Sequence, residues 1–267
     1  TDGGEYEQDE GTTNDFSNAN PIQIGGFTDA TYLNNIEYEG YNVHTVFDPI
    51  LTSGEPPENV YVDGVVVTFL PGATDGRAWG GYAAGGYFKN FRFTDAPARS
   101  QWAGSNFEIA YGLVESTGAN TNKDPDNQFQ AFKFATTDQP SGATTSNLSI
   151  HDVEFDLTAD PLIKAALWFE GYDAGALTAA EEPDAGAVSV YDCTARLSTV
   201  QGLVARGVSA SRPNEWPDQD IHDNIVINAS SIGQNFSVTN AQSSTPTYTT
   251  QALNGFFGCT DNTIITT

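Results

Sequence analysis

Tyr87-Phe88-Lys89-Asn90-Phe91-Arg92-Phe93 and Gln128-Phe129-Gln130-Ala131-Phe132-Lys133-Phe134 decide the fold class, because their side chains change character with a period of two rather than 3.6. In the second stretch Phe129, Ala131 and Lys133 oppose Gln130, Phe132 and Phe134. In the first, Phe88, Asn90 and Arg92 oppose Tyr87, Lys89, Phe91 and Phe93, and the alternation is imperfect. Aromatic residues repeatedly land on one face and leave the other polar, the signature of antiparallel sheets with one face on a core.

Working outward, the same signature recurs in Tyr41 to Ile50, Asn59 to Leu70, Gly86 to Thr94, Phe107 to Glu115, Gln128 to Thr136, Asn147 to Leu157, Ile163 to Tyr172 and Val188 to Val200. Between them lie turn-rich stretches, Ser53 to Asn59, Pro71 to Arg77, Gly118 to Asn127 and Asp138 to Ser146, where Gly and Asn supply positive φ and Pro fixes φ near −65°. Ala174 to Glu182 is the best helical candidate, at one or two turns. No internal repeat is read, so solenoids and propellers are not expected. The expected fold is all-β, an eight-stranded jelly-roll or β-sandwich barrel over residues 26–205. An acidic flexible arm is expected over 1–25, because Thr1 to Asn20 is nearly free of aliphatic residues. Residues 206–267 are expected as a C-terminal extension or small β layer, with strands in Ile227 to Ile232 and Gln234 to Ala241 and an apolar plug at Gly255 to Gly258.

The charge is extreme: 35 acidic against 10 basic residues, a formal −25, with four lysines, Lys89, Lys123, Lys133 and Lys164. Such self-repulsion opposes compaction in dilute buffer, whereas at molar salt the Debye length shrinks to about 3 Å and repulsion nearly vanishes. A hypersaline setting is expected. With 39% hydrophobic and 12% aromatic residues the chain is too apolar to be a disordered acidic protein. A phosphate-contacting surface needs clustered Lys and Arg, so no nucleic-acid partner is expected. No apolar run approaches the length of about 20 that spans a bilayer, and the first residues lack signal-peptide character, which is compatible with a mature chain.

Candidate chemistry is sparse. Glu154-Phe-Asp156-Leu-Thr-Ala-Asp160 resembles the ExDxxE and ExDxxxE strand of concanavalin-like glucanases and laminarinases, in which alternate carboxylates flank a glycosidic bond. Asp160 stands where that family has Glu, one methylene short, and a halophilic strand face carries such spacings by chance; no enzyme is expected. Should the glucanase reading hold, Glu154, Asp156 and Asp160 are its catalytic residues. Asp218, Asp220, His222 and Asp223 offer hard ligands for a structural Ca or Na ion, as do Asp124, Asp126 and Asn127, while no cofactor is otherwise expected. Cys193 and Cys259 are either a disulfide or two buried thiols. Asn147, Asn228 and Asn235 head glycosylation sequons. The histidines His44, His151 and His222 are scattered. Trp168 reads as core; Trp79, Trp102 and Trp216 read as a sugar-stacking platform or as interface anchors.

The barrel pattern, acidic arm and hypersaline composition together resemble the single jelly-roll major capsid proteins of icosahedral, membrane-containing viruses of halophilic archaea. The resemblance covers roughly Gly40 to Val200 and implies upright barrels pairing with themselves and a second barrel subunit in capsomers above an internal lipid membrane, hence location in a virion. The alternatives are a secreted carbohydrate-active β-sandwich, or a filament, tail-tube or cell-surface-layer subunit.

Overall fold

The computed structural model describes residues 22–24, 30–40, 47–49, 58–73, 77–97, 100–120, 130–134, 146–160, 163, 165–169, 188–197, 202–208, 219–228, 231–237, 247–251 and 259–267, and none of them is helical. Of the expected arm at 1–25 only residues 22–24 are described, and the Ala174 to Glu182 stretch and the 124–127 acidic loop lie outside these residues.

In chain order the strands are β1 (Ile22–Ile24), β2 (Thr31–Gly40), β3 (Phe47–Pro49), β4 (Glu58–Phe69), β5 (Gly80–Thr94), β6 (Ser100–Glu115), β7 (Gln130–Phe134), β8 (Ser146–Asp156) and β9 (Ala165–Phe169). They continue as β10 (Val188–Tyr191), β11 (Thr194–Arg196), β12 (Gly202–Val208), β13 (Gln219–His222), β14 (Ile225–Ile227), β15 (Ser231–Ser237), β16 (Thr247–Gln251), β17 (Cys259–Thr260) and β18 (Thr263–Ile265). The all-β expectation holds. The antiparallel jelly roll does not describe how the strands pair: among the described strands only β15 with β16 is antiparallel, and every other pairing is parallel.

A parallel neighbour requires a crossover between the strands. Here β2, β4, β5, β6, β8, β10, β13 and β17 form one row in that order, each paired with its neighbours in the row. The return path runs through a second face, where the first residues of β6 pair with β7, β7 with β9, β9 with β12 and β12 with β15. The chain therefore winds as stacked coils of a parallel β-solenoid. The reading that set solenoids aside is corrected, and within residues 206–267 β13, β14, β15, β17 and β18 add further parallel pairings.

The imperfect alternation has a specific cause. Asp63 pairs with Lys89 and Val65 with Phe91, which leaves Gly64 level with Asn90. Both have positive φ, 73° and 53°. One residue in the left-handed region bends the strand and resets its phase, so Val60, Val62, Val65 and Val67 all point inward although 62 and 65 are three apart. The same register puts one left-handed residue in each of eight successive coils: Asn35, Gly64, Asn90, Tyr111, Asp152, Asp192, Asp223 and Asp261. Gly, Asn and Asp tolerate this conformation; β-branched and bulky residues do not.

Just after the bend the column turns inward through Val65, Phe91, Gly112, Val153, Cys193, Asn224 and Asn262. Phe91 leans over Gly112 so closely that a Cβ on residue 112 would overlap its Cζ, Cε1 and Cε2. Asn224, fully buried, fills the bend with hydrogen bonds: its Oδ1 accepts from the Cys193 N–H at 3.0 Å and its Nδ2 donates to the Val190 carbonyl at 3.0 Å. Asn262 repeats the device one coil on, accepting from Asn224 N at 3.1 Å and donating to the Ile221 carbonyl at 2.7 Å. Across the interior Phe132 of β7 meets Phe91 at 6.2 Å and Phe155 at 5.6 Å. Each such ring removed from water contributes about 1.5–3 kcal/mol.

Candidate functional site

The phase reset also decides what faces outward. Tyr32, Tyr61 and Tyr87 occupy one outer column, with ring centroids 5.0 Å apart between Tyr32 and Tyr61 and 5.0 Å between Tyr61 and Tyr87. Lys89 sits with Nζ 4.8 Å from the Tyr87 centroid and 6.0 Å from that of Tyr111. From there the rings continue as Tyr111, His151, Tyr191 and His222, at 5.5, 4.8 and 5.3 Å, the last two contacts stacked nearly parallel. A ladder of aromatic and cationic groups thus runs along the outer face over seven coils.

Charged groups converge at its middle. Lys89 Nζ lies 2.8 Å from Glu108 Oε2, and His151 holds Glu108 Oε1 through Nε2 and Asp152 Oδ2 through Nδ1, each at 2.8 Å. Both ring nitrogens donate only in the imidazolium form. Burial raises the Glu108 pKa, but the hydrogen bonds and charges of Lys89 and His151 outweigh it and hold the carboxyl below its ordinary value. Burial also raises the Tyr191 phenol, reinforced by the charges of Glu108 and Asp152.

The residues singled out in the sequence fare differently. Glu154 faces outward beside Arg196 at 3.5 Å, Asp156 accepts from the Thr158 hydroxyl at 2.8 Å, and Asp160 is buried in the turn beyond β8. Three carboxylates on one accessible face are therefore not what this stretch builds. Of the ion candidates, His222 lies 2.8 Å from Asp223 and 3.8 Å from Asp220; Asp218 lies outside the described residues. Among the described residues no group of three or more His, Cys, Asp or Glu is arranged to hold a metal ion. Trp168 is core, as expected, and Trp79 is buried too rather than a surface platform. Trp216 and His44 lie outside the description, as does the side chain of Trp102.

Asn147 is exposed and donates to Asn106 Oδ1 at 3.0 Å, Asn228 accepts from Thr267 at 2.9 Å, and Asn235 lies in β15. Cys193 is a free, buried thiol whose Sγ faces the Tyr191 and Ile150 carbonyls, and the side chain of Cys259 lies outside the description. Burial pushes its pKa up to about 12. Because the thiolate is the reactive form, iodoacetamide is expected to leave Cys193 unlabelled in the native protein at neutral pH and to label it fully in urea, as peptide mass spectrometry will show.

The ring ladder went unread in the sequence because its members are separated by unequal intervals. The residues before each left-handed position, Lys89, His151, Tyr191 and His222, fall in one column only once the bends are aligned. Fold and outer face together define a parallel β-solenoid with an exterior aromatic and charged ladder. No family model matches the chain, and no curated protein or solved structure matches it either.

Proposed function

We propose that the chain is a structural subunit of an extracellular assembly that holds together in concentrated salt. The observation that carries this reading is the run of four aspartates, Asp152, Asp192, Asp223 and Asp261, on neighbouring coils of one outer column. Adjacent coils lie about 4.8 Å apart, and two unit charges at that distance in water repel by roughly 0.9 kcal/mol. Salt at molar strength screens the repulsion while leaving apolar contacts in place. His151 and His222 offset Asp152 and Asp223, each at 2.8 Å, only when protonated.

A capsid role drew on composition and on the jelly roll. With coils in place of the barrel, composition alone supports it. A filament, tail or surface-layer subunit suits the stack better, because parallel coils present the same column of groups repeatedly to copies of the chain. Native material purified in molar KCl and stepped into dilute buffer provides the test. Electron microscopy and mass measurement are expected to show large particles or fibres that release subunits as salt falls. A 28.5 kDa monomer at every salt concentration rules the reading out.

A further inference from the structure

We infer that the outer face around Tyr111 is a binding site for a neutral oligosaccharide chain. The inference stands apart from the assembly proposed above. Seven of the eight left-handed positions carry Asn, Asp or Gly; the eighth is Tyr111, at φ 55°. A bulky side chain in this region is strained, and strain of this kind persists where a side chain serves a ligand rather than the fold. Tyr111 is 51% exposed. Its ring stands at 86° to that of His151, turned out of the near-parallel stack that His151, Tyr191 and His222 form.

The surroundings choose the ligand class. Lys89 is tied to Glu108, and His151 to Glu108 and Asp152, so the charges at the site are spent on one another. A net charge of −25 disfavours an anionic ligand, and Lys89 already stands 6.0 Å from the Tyr111 ring where a ligand cation would bind. What is left is an aromatic surface bordered by carboxylate oxygens with further lone pairs, and by the exposed Asn90 amide that donates to Asp63 at 2.7 Å. An uncharged ring with an apolar C–H face and equatorial hydroxyls matches that pairing, because it stacks on the phenol and donates to the carboxylates. The run of Tyr87, Tyr61 and Tyr32 on successive coils continues along one direction as ring edges and phenol hydroxyls, Tyr32 and Tyr61 being stacked on one another, and hydroxyls repeated in a row suit a chain of sugar units rather than a single sugar.

The test compares the full wild-type chain with Tyr111→Asn and Tyr111→Gly, both suited to positive φ, in molar KCl. Cello-, xylo-, manno- and chito-oligosaccharides are titrated by calorimetry, with an oligogalacturonate and tetramethylammonium as charged probes. At least one neutral oligosaccharide is expected to bind the wild type and to bind both variants roughly tenfold or more weakly, while both variants melt at or above the wild-type temperature. The inference is overturned if no neutral oligosaccharide binds, if only a charged probe binds, if the variants bind as tightly, or if both variants melt lower, which would make Tyr111 a structural residue.

Discussion

Asn224→Ala is expected to lower the unfolding free energy by about 2–6 kcal/mol, because two buried groups lose a partner at roughly 1–3 kcal/mol each. The Cys193 N–H loses its acceptor and the Val190 carbonyl loses a donor, while Asn262 Oδ1 loses the Asn224 amide at 2.8 Å but keeps the Asn224 backbone N–H at 3.1 Å. Asn224 is fully buried, so water has no route to replace these bonds without opening the bend. Urea unfolding at fixed molar salt measures the loss. Asn224→Asp keeps the acceptor for Cys193 N–H but buries a charge, and is expected to be at least as damaging. A loss under about 1 kcal/mol for Asn224→Ala would mean that the bend is held by strand pairing alone.

Gly112→Ala is the second large effect, at about 3 kcal/mol, the upper end for overpacking a filled core. The added methyl falls on the Phe91 ring, and that ring is hemmed in by Phe88 at 5.2 Å and Phe93 at 5.0 Å. The diagnostic is a cycle with Phe91→Leu. Shrinking the ring alone leaves a cavity, yet in the Gly112→Ala background it makes room. The double variant is therefore expected to be more stable than the sum of the single losses by about 1 kcal/mol or more. Additive losses would show that the ring and residue 112 do not meet.

The strands themselves were legible. Asn59 to Leu70 is realised as Glu58–Phe69, Phe107 to Glu115 falls within Ser100–Glu115, and Asn147 to Leu157 becomes Ser146–Asp156. Direction was not legible, because side chains alternate with period two in parallel and antiparallel strands alike. Val188 to Val200 reads as one run but is two strands, parted at Asp192. The marks of the bend are there in Val-Asp-Gly-Val at 62–65, Lys-Asn-Phe at 89–91, His-Asp-Val at 151–153 and Tyr-Asp-Cys at 191–193. They escape a search for a fixed period because neighbouring coils are offset by as few as 21 residues, Thr94 to Glu115, and as many as 41, Asn106 to Asn147. Loop closure costs only slightly more as loops lengthen, so nothing forces those intervals to be equal. The site was harder still: Lys89, Glu108 and His151 meet through stacking of coils, which no local pattern encodes.

The bonds that join successive coils all run along the stacking axis, and each coil leans only on the ones above and below it. Pulled lengthwise, such a molecule parts by peeling one turn of chain at a time, each step surrendering a single row of bonds. Squeezed from the side it yields little, because the interior is filled with rings. A component built this way resists crushing better than stretching, and it wears from its ends while the middle keeps its shape.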